Sequence, residues 1–436
     1  MKIMMFTNTY LPHVGGVARS VSTFEEEFCR RGHAVRVVAP QFEGAADKSG
    51  RVLRMPAIQH FNGSDFSVRI PIPGLLADFV DDFRPNILHS HHPFLLGDSA
   101  LRMAWSRRLP LVFTHHTMYE QYTHYVPLDS DALKRFVIQM TTEYCNLCTH
   151  VIAPSESVAR VIRERGVVTP VTSIPTGIDA ECFRGGDGRG FRRRFGIGEN
   201  ALVLGHVGRL APEKNLDYLA EAVGRYLGEH ADAAFLVVGS GEAAESMDVV
   251  LHRHARPKQV VMAGKHTGRN LADAYAAMDV FVFASQSETQ GMVLAEAMAA
   301  GVPAVALDAP GAREIVNDRN GRLLDATAPP AEFAQAIAEV TGDRNRLRQL
   351  GEGARQTAPD FSLQKCADRT LDLYQRLLRN YSRGVEMDPG PWDRLLGRLE
   401  IEWNLFVEKT SALAAAASET EPRRGSHGTD SAPHQL

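Results

Sequence analysis

Ser285-Gln286-Ser287-Glu288-Thr289-Gln290-Gly291-Met292-Val293-Leu294-Ala295-Glu296-Ala297-Met298-Ala299-Ala300-Gly301-Val302-Pro303 decides how this chain is read. It follows Asp279-Val280-Phe281-Val282-Phe283-Ala284, a short, bounded apolar run of the kind that forms a buried strand. From Met292 to Ala300 the residues are mostly strong helix formers, and Gly301 then Pro303 supply the stop. Strand, polar loop, helix places Glu288 at the carboxyl end of the strand. In open α/β sheets that edge is where ligands bind. Gly291 falls where a helix start exposes unpaired N–H groups, which suit a phosphate. Glu296 lies further into the helix. Taken alone, it reads equally as a solvated glutamate favoured by the helix dipole.

The same alternation extends both ways. After the stretch, Ala304-Val305-Ala306-Leu307 is a strand. Before it come the strands Leu202-Val203-Leu204-Gly205-His206-Val207-Gly208, Phe235-Leu236-Val237-Val238 and Gln259-Val260-Val261-Met262-Ala263-Gly264, the last followed by Lys265-His266. The first half reads as a strand over 1–6, a glycine loop His13-Val14-Gly15-Gly16-Val17, a helix over 18–31 and a strand over 35–39. Further strands fall at 86–90, 111–114, 150–153 and 171–174. Strand and helix in alternation mean βαβ units and parallel sheets, hence an α/β fold class. At 436 residues the chain is too long for one core. The segment Gly185-Gly186-Asp187-Gly188-Arg189-Gly190 reads as a linker. Domains are expected at 1–175 and 176–361, with a helix over 362–382, an extension over 386–415 and a polar, disordered tail over 418–436. Neither half has G-x-G-x-x-G after its first strand, which disfavours a nicotinamide or flavin dinucleotide.

Composition excludes several classes. The formal net charge is −4, without the basic excess of a nucleic-acid-binding protein. No run of eighteen apolar residues suggests a transmembrane helix, and the start turns polar too soon for a signal peptide. Five scattered cysteines fit reduced thiols in the cytoplasm. Cys145 and Cys148, inside a helical pattern, read as buried thiols rather than a metal pair. His89, His91, His92, His115 and His116 cluster at strand ends, but no H-x-x-x-H spacing supports a metal. One of them as a hydrogen-bonding or catalytic residue is the better reading. Asp129-Ser130-Asp131 reads as a helix cap.

Arg209 and Lys214 lie in a strand-to-helix loop at the ligand edge, and two cations there suit a diphosphate. Gly15-Gly16 and the helix opening at Gly291-Met292-Val293 add two further phosphate features. Ionised Glu288 and Glu296 only accept hydrogen bonds and so suit hydroxyls. Phosphates with hydroxyl acceptors point to a nucleotide sugar, and Gly264-Lys265-His266 is placed to contact the base through its backbone.

These residues resemble the large group 1 family of retaining glycosyltransferases. The resemblance covers residues 1–382. It rests on two glutamates separated by seven residues, Glu288 and Glu296, on the G-R-L-A-P-E-K-N run from Gly208 to Asn215, and on the Gly-Gly loop. It implies a GT-B fold, two Rossmann-like domains with parallel sheets facing an interdomain cleft. The first domain would take the acceptor, the second the nucleotide sugar. It implies that Arg209 and Lys214 hold the diphosphate and that Gly16 approaches it from the other domain. Glu288 would then contact the donor sugar, Glu296 the ribose, and His116 or the adjacent His115 would lie near sugar and acceptor. Thr289-Gln290 stands where many relatives have Gly-Phe. That variant, with His91-His92-Pro93-Phe94-Leu95-Leu96-Gly97 and Phe113-Thr114-His115-His116-Thr117, is similar to bacterial enzymes that glucosylate diacylglycerol. The implied donor is UDP-glucose and the implied acceptor a membrane lipid or a glycan, on the cytoplasmic side at the inner face of the membrane. No cofactor or metal is called for, because Arg209, Lys214 and backbone N–H groups can stabilise the leaving charge. A mannosyltransferase acting on phosphatidylinositol or a glycan is the alternative within the class, and a sugar-nucleotide epimerase the alternative outside it. In the extension, Trp392, Leu395, Leu396, Leu399, Trp403 and Phe406 form a helical apolar stripe. Its polar face is not clearly basic, which favours protein docking over a membrane surface.

Overall fold

The computed structural model describes residues 1–13, 15–42, 50–58, 68–69, 75–121 and 130–381. The extension and tail expected at 386–415 and 418–436 lie outside the described residues. Both large sheets belong to one compact unit, Met1–Met118 with Thr141–Arg383; a second unit contains Tyr119–Met140.

In chain order the first half has β1 (Lys2–Phe6), α1 (Gly16–Arg30), β2 (Ala34–Pro40), β3 (Val52–Met55), β4 (Ala57–Ile58), β5 (Val68–Arg69), α2 (Leu75–Phe83) and β6 (Ile87–Ser90). It continues through α3 (Leu96–Arg107), β7 (Leu111–Thr114), α4 (Asp131–Leu147), β8 (His150–Ala153), α5 (Glu156–Glu164) and β9 (Val171–Ser173). The second half has α6 (Ala180–Phe183), α7 (Gly188–Arg194), β10 (Leu202–Val207), α8 (Leu216–Glu229), β11 (Ala233–Val238), α9 (Ala244–Leu251), β12 (Val260–Gly264) and α10 (Gly268–Ala276). It ends with β13 (Val280–Phe283), α11 (Met292–Ala300), β14 (Ala304–Leu307), β15 (Gly321–Leu324), α12 (Pro330–Thr341), α13 (Arg344–Thr357) and α14 (Leu363–Asn380). Ser155 caps α5, its side chain accepting from the Val158 N–H. Of the expected cap at residues 129–131, Asp129 lies outside the described residues, and Ser130 Oγ accepts from the Leu133 N–H at the start of α4.

The strand order is β3-β2-β1-β6-β7-β8-β9 in a seven-stranded parallel sheet and β12-β11-β10-β13-β14-β15 in a six-stranded one. Each order reverses once, between β1 and β6 and between β10 and β13. Successive helices leave opposite faces at such a point, so a crevice opens at the carboxyl ends of those two strands. β1 and β6 are in register with Phe6 opposite Ser90, β10 and β13 with Leu204 opposite Val280. The central strands are buried on both faces, which is why they read as continuous apolar runs. Apolar clusters cover both faces of the second sheet. A third lies on the first sheet and includes Leu371 and Tyr374 of α14, whose ring meets Phe28 of α1.

One local expectation is corrected. Residues 185–190 do not form an open linker, because Asp187 caps α7 from Gly188 onward. The glycines serve close packing. A Cβ on Gly186 would lie 2.4 Å from the Ala272 carbonyl oxygen and one on Gly188 2.1 Å from that of Ala276, both on α10. Local sequence marks glycine but not the helix that will press against it. The edge strands β3 and β15 also escaped the sequence reading, since four residues with one arginine carry little period-two signal.

Candidate functional site

Four loops leave the strands at the two switch points. They are the segment from Thr7 to Gly16 after β1, His91 to Leu95 after β6, Gly208 to Asn215 after β10, and Ser285 to Gly291 after β13. Gly15, Gly16, Gly208, Arg209, Lys214 and the run from Glu288 to Gly291 fall on them, whereas His116 follows β7, Gly264 to His266 end and follow β12, and Met292, Val293 and Glu296 lie in α11.

The two loops of the second sheet are tied together. Asn215 Nδ2 donates to the Ala284 carbonyl at 3.2 Å, and Ser287 Oγ donates to the Glu213 carbonyl at 3.1 Å. Between them Lys214 Nζ lies 2.5 Å from Glu288 Oε1, both side chains mostly buried. Arg209, half exposed, pairs with buried Glu213. Gly291 caps α11 with φ 71°, the left-handed region that favours glycine. The helix then begins with Met292 and Val293, partly buried, and opens the first-turn N–H groups toward the loop.

Thr289 and Gln290 bond to the first half of the chain. Thr289 Oγ1 donates to the His116 carbonyl at 2.8 Å, and the Thr176 N–H donates to Gln290 Oε1 at 2.8 Å. The loop is thus tied to the backbone of His116, one of the two candidate histidines. His115 is buried edge-on against Phe113. Burial, together with neighbouring His92, His89 and His115, holds His116 neutral well below the usual imidazole range. Gly15 is extended and caps α1, and Gly16 opens it, with nothing within 4 Å of the place a Cβ would occupy. Gly264 is likewise uncrowded, with φ 75°. Lys265 is exposed, while the His266 ring packs edge-on against Phe191 of α7 and Phe195, which caps its end.

Glu296 is not the solvated glutamate that its sequence position allowed. It is 2% exposed. Tyr275 Oη donates to its Oε2 at 2.9 Å, and Arg19 Nη1, from the first turn of α1, lies 2.8 Å from its Oε1. Burial raises its pKa above the ordinary 4.5, opposed by Arg19 and Tyr275. A carboxyl with a raised native pKa costs stability as pH climbs from its unfolded value through its folded one. Arg19→Ala removes the opposing cation and raises the pKa further. The variant is expected to lose about 1–2 kcal/mol at pH 7.5 and less at pH 5, where Glu296 is more protonated. Thermal melts of both proteins at the two pH values check this; an equal loss at both contradicts it.

Sequence reading missed His206. It lies in β10 with its ring stacked beside those of Phe281 and Phe283 of β13, 6.2 and 6.3 Å away, its Nδ1–H donating to the Val282 carbonyl at 3.2 Å. Burial first, and Lys214 next among the lowering influences, brings its pKa to about 4, so it is neutral near Lys214 and Glu288. The available signal was a lone polar residue in an otherwise apolar central strand. Among the described residues no three His, Cys, Asp or Glu side chains gather as a metal site requires. Nor is any helix there long and apolar enough to cross a membrane.

The sequence that forms these two sheets matches the family models described as Glycosyltransferase Family 4 over residues 14–181 and Glycosyl transferases group 1 over 189–357. The chain belongs to the group 1 glycosyltransferases. This glycosyltransferase is 26% identical over 325 residues to the alpha-monoglucosyldiacylglycerol synthase of Streptococcus pneumoniae, covering 73% of this chain and 74% of that one. It is 28% identical over 385 residues to a GDP-mannose-dependent alpha-mannosyltransferase of Mycolicibacterium smegmatis, covering 87% and 98%. In fold it is similar to Anabaena HepE, solved in complex with UDP-glucose, with a TM-score of 0.68 over 86% of this chain and all of the other, at 19% identity. The fold is thus GT-B, and the epimerase alternative is not favoured.

Proposed function

We propose that this glycosyltransferase moves a hexose, glucose in the favoured reading, from a nucleoside diphosphate sugar to a hydroxyl of a membrane lipid. The donor is UDP-glucose and the acceptor diacylglycerol. The observation that carries the reading is the Lys214–Glu288 pair, set between the two switch-point loops beside the α11 N-terminus. Lys214 and Arg209 take the diphosphate, and Gly16 lets its oxygens approach the first turn of α1. Gly264, Lys265 and His266 meet the base through the backbone. Glu288 accepts from the sugar hydroxyls, and the ribose hydroxyls replace Arg19 at Glu296. Positive charge and N–H dipoles then stabilise the leaving diphosphate without a metal. The acceptor hydroxyl passes its proton to the departing phosphate oxygen on the same sugar face, with retention at the reacting carbon. A lipid acceptor brings the enzyme to the inner face of the membrane. The mannosyl alternative is supported by the Mycolicibacterium relative, and loop chemistry does not distinguish the two hexoses.

The test is thermal shift with UDP-glucose, UDP-galactose and GDP-mannose, then mass spectrometry after incubation with diacylglycerol or phosphatidylinositol vesicles. One added hexose on diacylglycerol, with α configuration by NMR and unchanged turnover in EDTA, is the expected result. Hexose added only to phosphatidylinositol selects the alternative, and loss of turnover in EDTA overturns metal independence.

Gly16→Ala separates site from scaffold. The position is helical and uncrowded, so stability is expected to hold or rise by up to about 1 kcal/mol. Donor KM is expected to rise at least about tenfold, because the methyl occupies the phosphate's approach; each tenfold step is about 1.4 kcal/mol. An unchanged KM removes Gly16 from the site.

A further inference from the structure

β6 and β7 are neighbours, and the loops that leave them set two imidazoles together. His91 Nδ1 lies 2.9 Å from His116 Nε2, with the rings nearly parallel, 5.2 Å between centroids and 23° between planes. His91 is 1% exposed. Its backbone N–H donates to the Phe6 carbonyl, and its ring centroid lies 4.1 Å from that of His89, the two rings tilted by 36°. His89 is itself pinned, by Tyr374 Oη of α14 at Nδ1 and by Thr114 Oγ1 at Nε2. Thr289 holds the His116 carbonyl from the far side.

Two neutral imidazoles share one proton across such a contact, so two arrangements exist. If His116 donated from Nε2, His91 would carry its own proton on Nε2, which is buried without a hydrogen-bond partner. A buried, unpaired N–H is the costlier vacancy; a bare acceptor is tolerated more often. His91 Nδ1–H therefore donates to His116 Nε2, and His116 keeps its proton on Nδ1, the nitrogen away from His91. That choice matters chemically. With Nδ1–H outward, His116 is a hydrogen-bond donor to a sugar or phosphate oxygen. With the opposite tautomer it would offer a lone pair, which repels an anionic oxygen.

We propose that His91 is a positioning residue that fixes the tautomer and ring plane of His116, so that His116 presents Nδ1–H to an oxygen of the bound nucleotide sugar. This rests on the placement of His116 beside the donor in the function proposed above. His91 touches no substrate; it acts through His116.

The test uses the full chain labelled with 15N-histidine, His116 being assigned from the spectrum of His116→Gln. In the wild type His116 is expected to carry its proton on Nδ1 and none on Nε2. In His91→Leu the Nε2–H form of His116 is expected to appear. Its kcat with UDP-glucose should fall at least about tenfold while donor KM stays within about threefold. His91→Asn puts an amide N–H where Nδ1–H stood and is expected to restore kcat to within about threefold of wild type. A wild-type His116 protonated on Nε2 overturns the proposal, as does a folded His91→Leu enzyme with wild-type kcat. If His91→Leu does not fold, the wild-type tautomer and the His91→Asn kcat decide, a tenfold loss in the latter counting against it. If the wild type transfers no hexose from any donor, the proposed function falls, while the tautomer measurement still decides what His91 does.

Discussion

Lys214→Ala is expected to lower kcat by about 10²–10³-fold, the size seen when one preorganised donor to a developing negative charge is removed. The loop that carries Lys214 is held by Asn215 on Ala284 and by Ser287 on Glu213. Neither bond involves the lysine side chain, so the loop keeps its shape in the variant. Folding should suffer by only about 1 kcal/mol, since the partner Glu288 is 21% exposed and can be partly rehydrated. Lys214→Arg keeps the charge but replaces a point cation with a planar fork, and is expected to recover only part of the loss. Circular dichroism melts and initial rates of nucleoside diphosphate release separate the two effects. Turnover within about tenfold of wild type, about 1.4 kcal/mol, would remove Lys214 from the chemistry.

The second large effect is expected in binding. Glu296→Gln keeps the shape of the side chain and an oxygen for Tyr275, but removes the charge that faces Arg19. Hydrogen bonds to a charged group contribute about 1.5–3 kcal/mol. Affinity for UDP should therefore fall between about tenfold and a hundredfold. Stability should hold or rise, because burial already disfavours the ionised form. Calorimetric titration with UDP and 2′-deoxy-UDP reads the role directly. The wild type should discriminate between them and the Gln variant should discriminate less. Equal UDP affinity in both proteins would leave Glu296 only as the partner of Arg19 and Tyr275.

Much of this architecture was legible before any tertiary information. The strand and helix around Ser285–Gly291 came out of apolar run length, helix propensity and the Gly301 stop, and α11 spans Met292–Ala300 as read. The loop Gly208–Asn215 and the glycine opening of α1 were legible for the same reason. Glycine, proline and capping residues act on their own neighbourhood, so their effects can be read locally. The failures share an opposite cause. Gly186 and Gly188 looked like a linker because what presses on them, α10, is far along the chain. In sequence His206 reads as one residue of an apolar strand, and His91 as one of five clustered histidines with no role of its own. What makes them neutral is the enclosure supplied by Phe281 and Phe283 in one case and by His89 and His116 in the other.

The sequence by itself determined the alternation of strand and helix, the phosphate-suited loops at carboxyl strand ends, and the family, because these follow from local periodicity and residue chemistry. Only the tertiary structure decided which charges meet. Lys214 faces Glu288, Arg19 reaches Glu296 from the other half of the chain, and Thr289 and Gln290 hold His116 and Thr176. Such pairings depend on burial and on segments brought together by the reversal of strand order at two switch points. Neither is a property of any short stretch. The stretch from Ser285 to Pro303 could announce its helix and its two glutamates, but not that one of them would be buried against an arginine from the first helix of the chain.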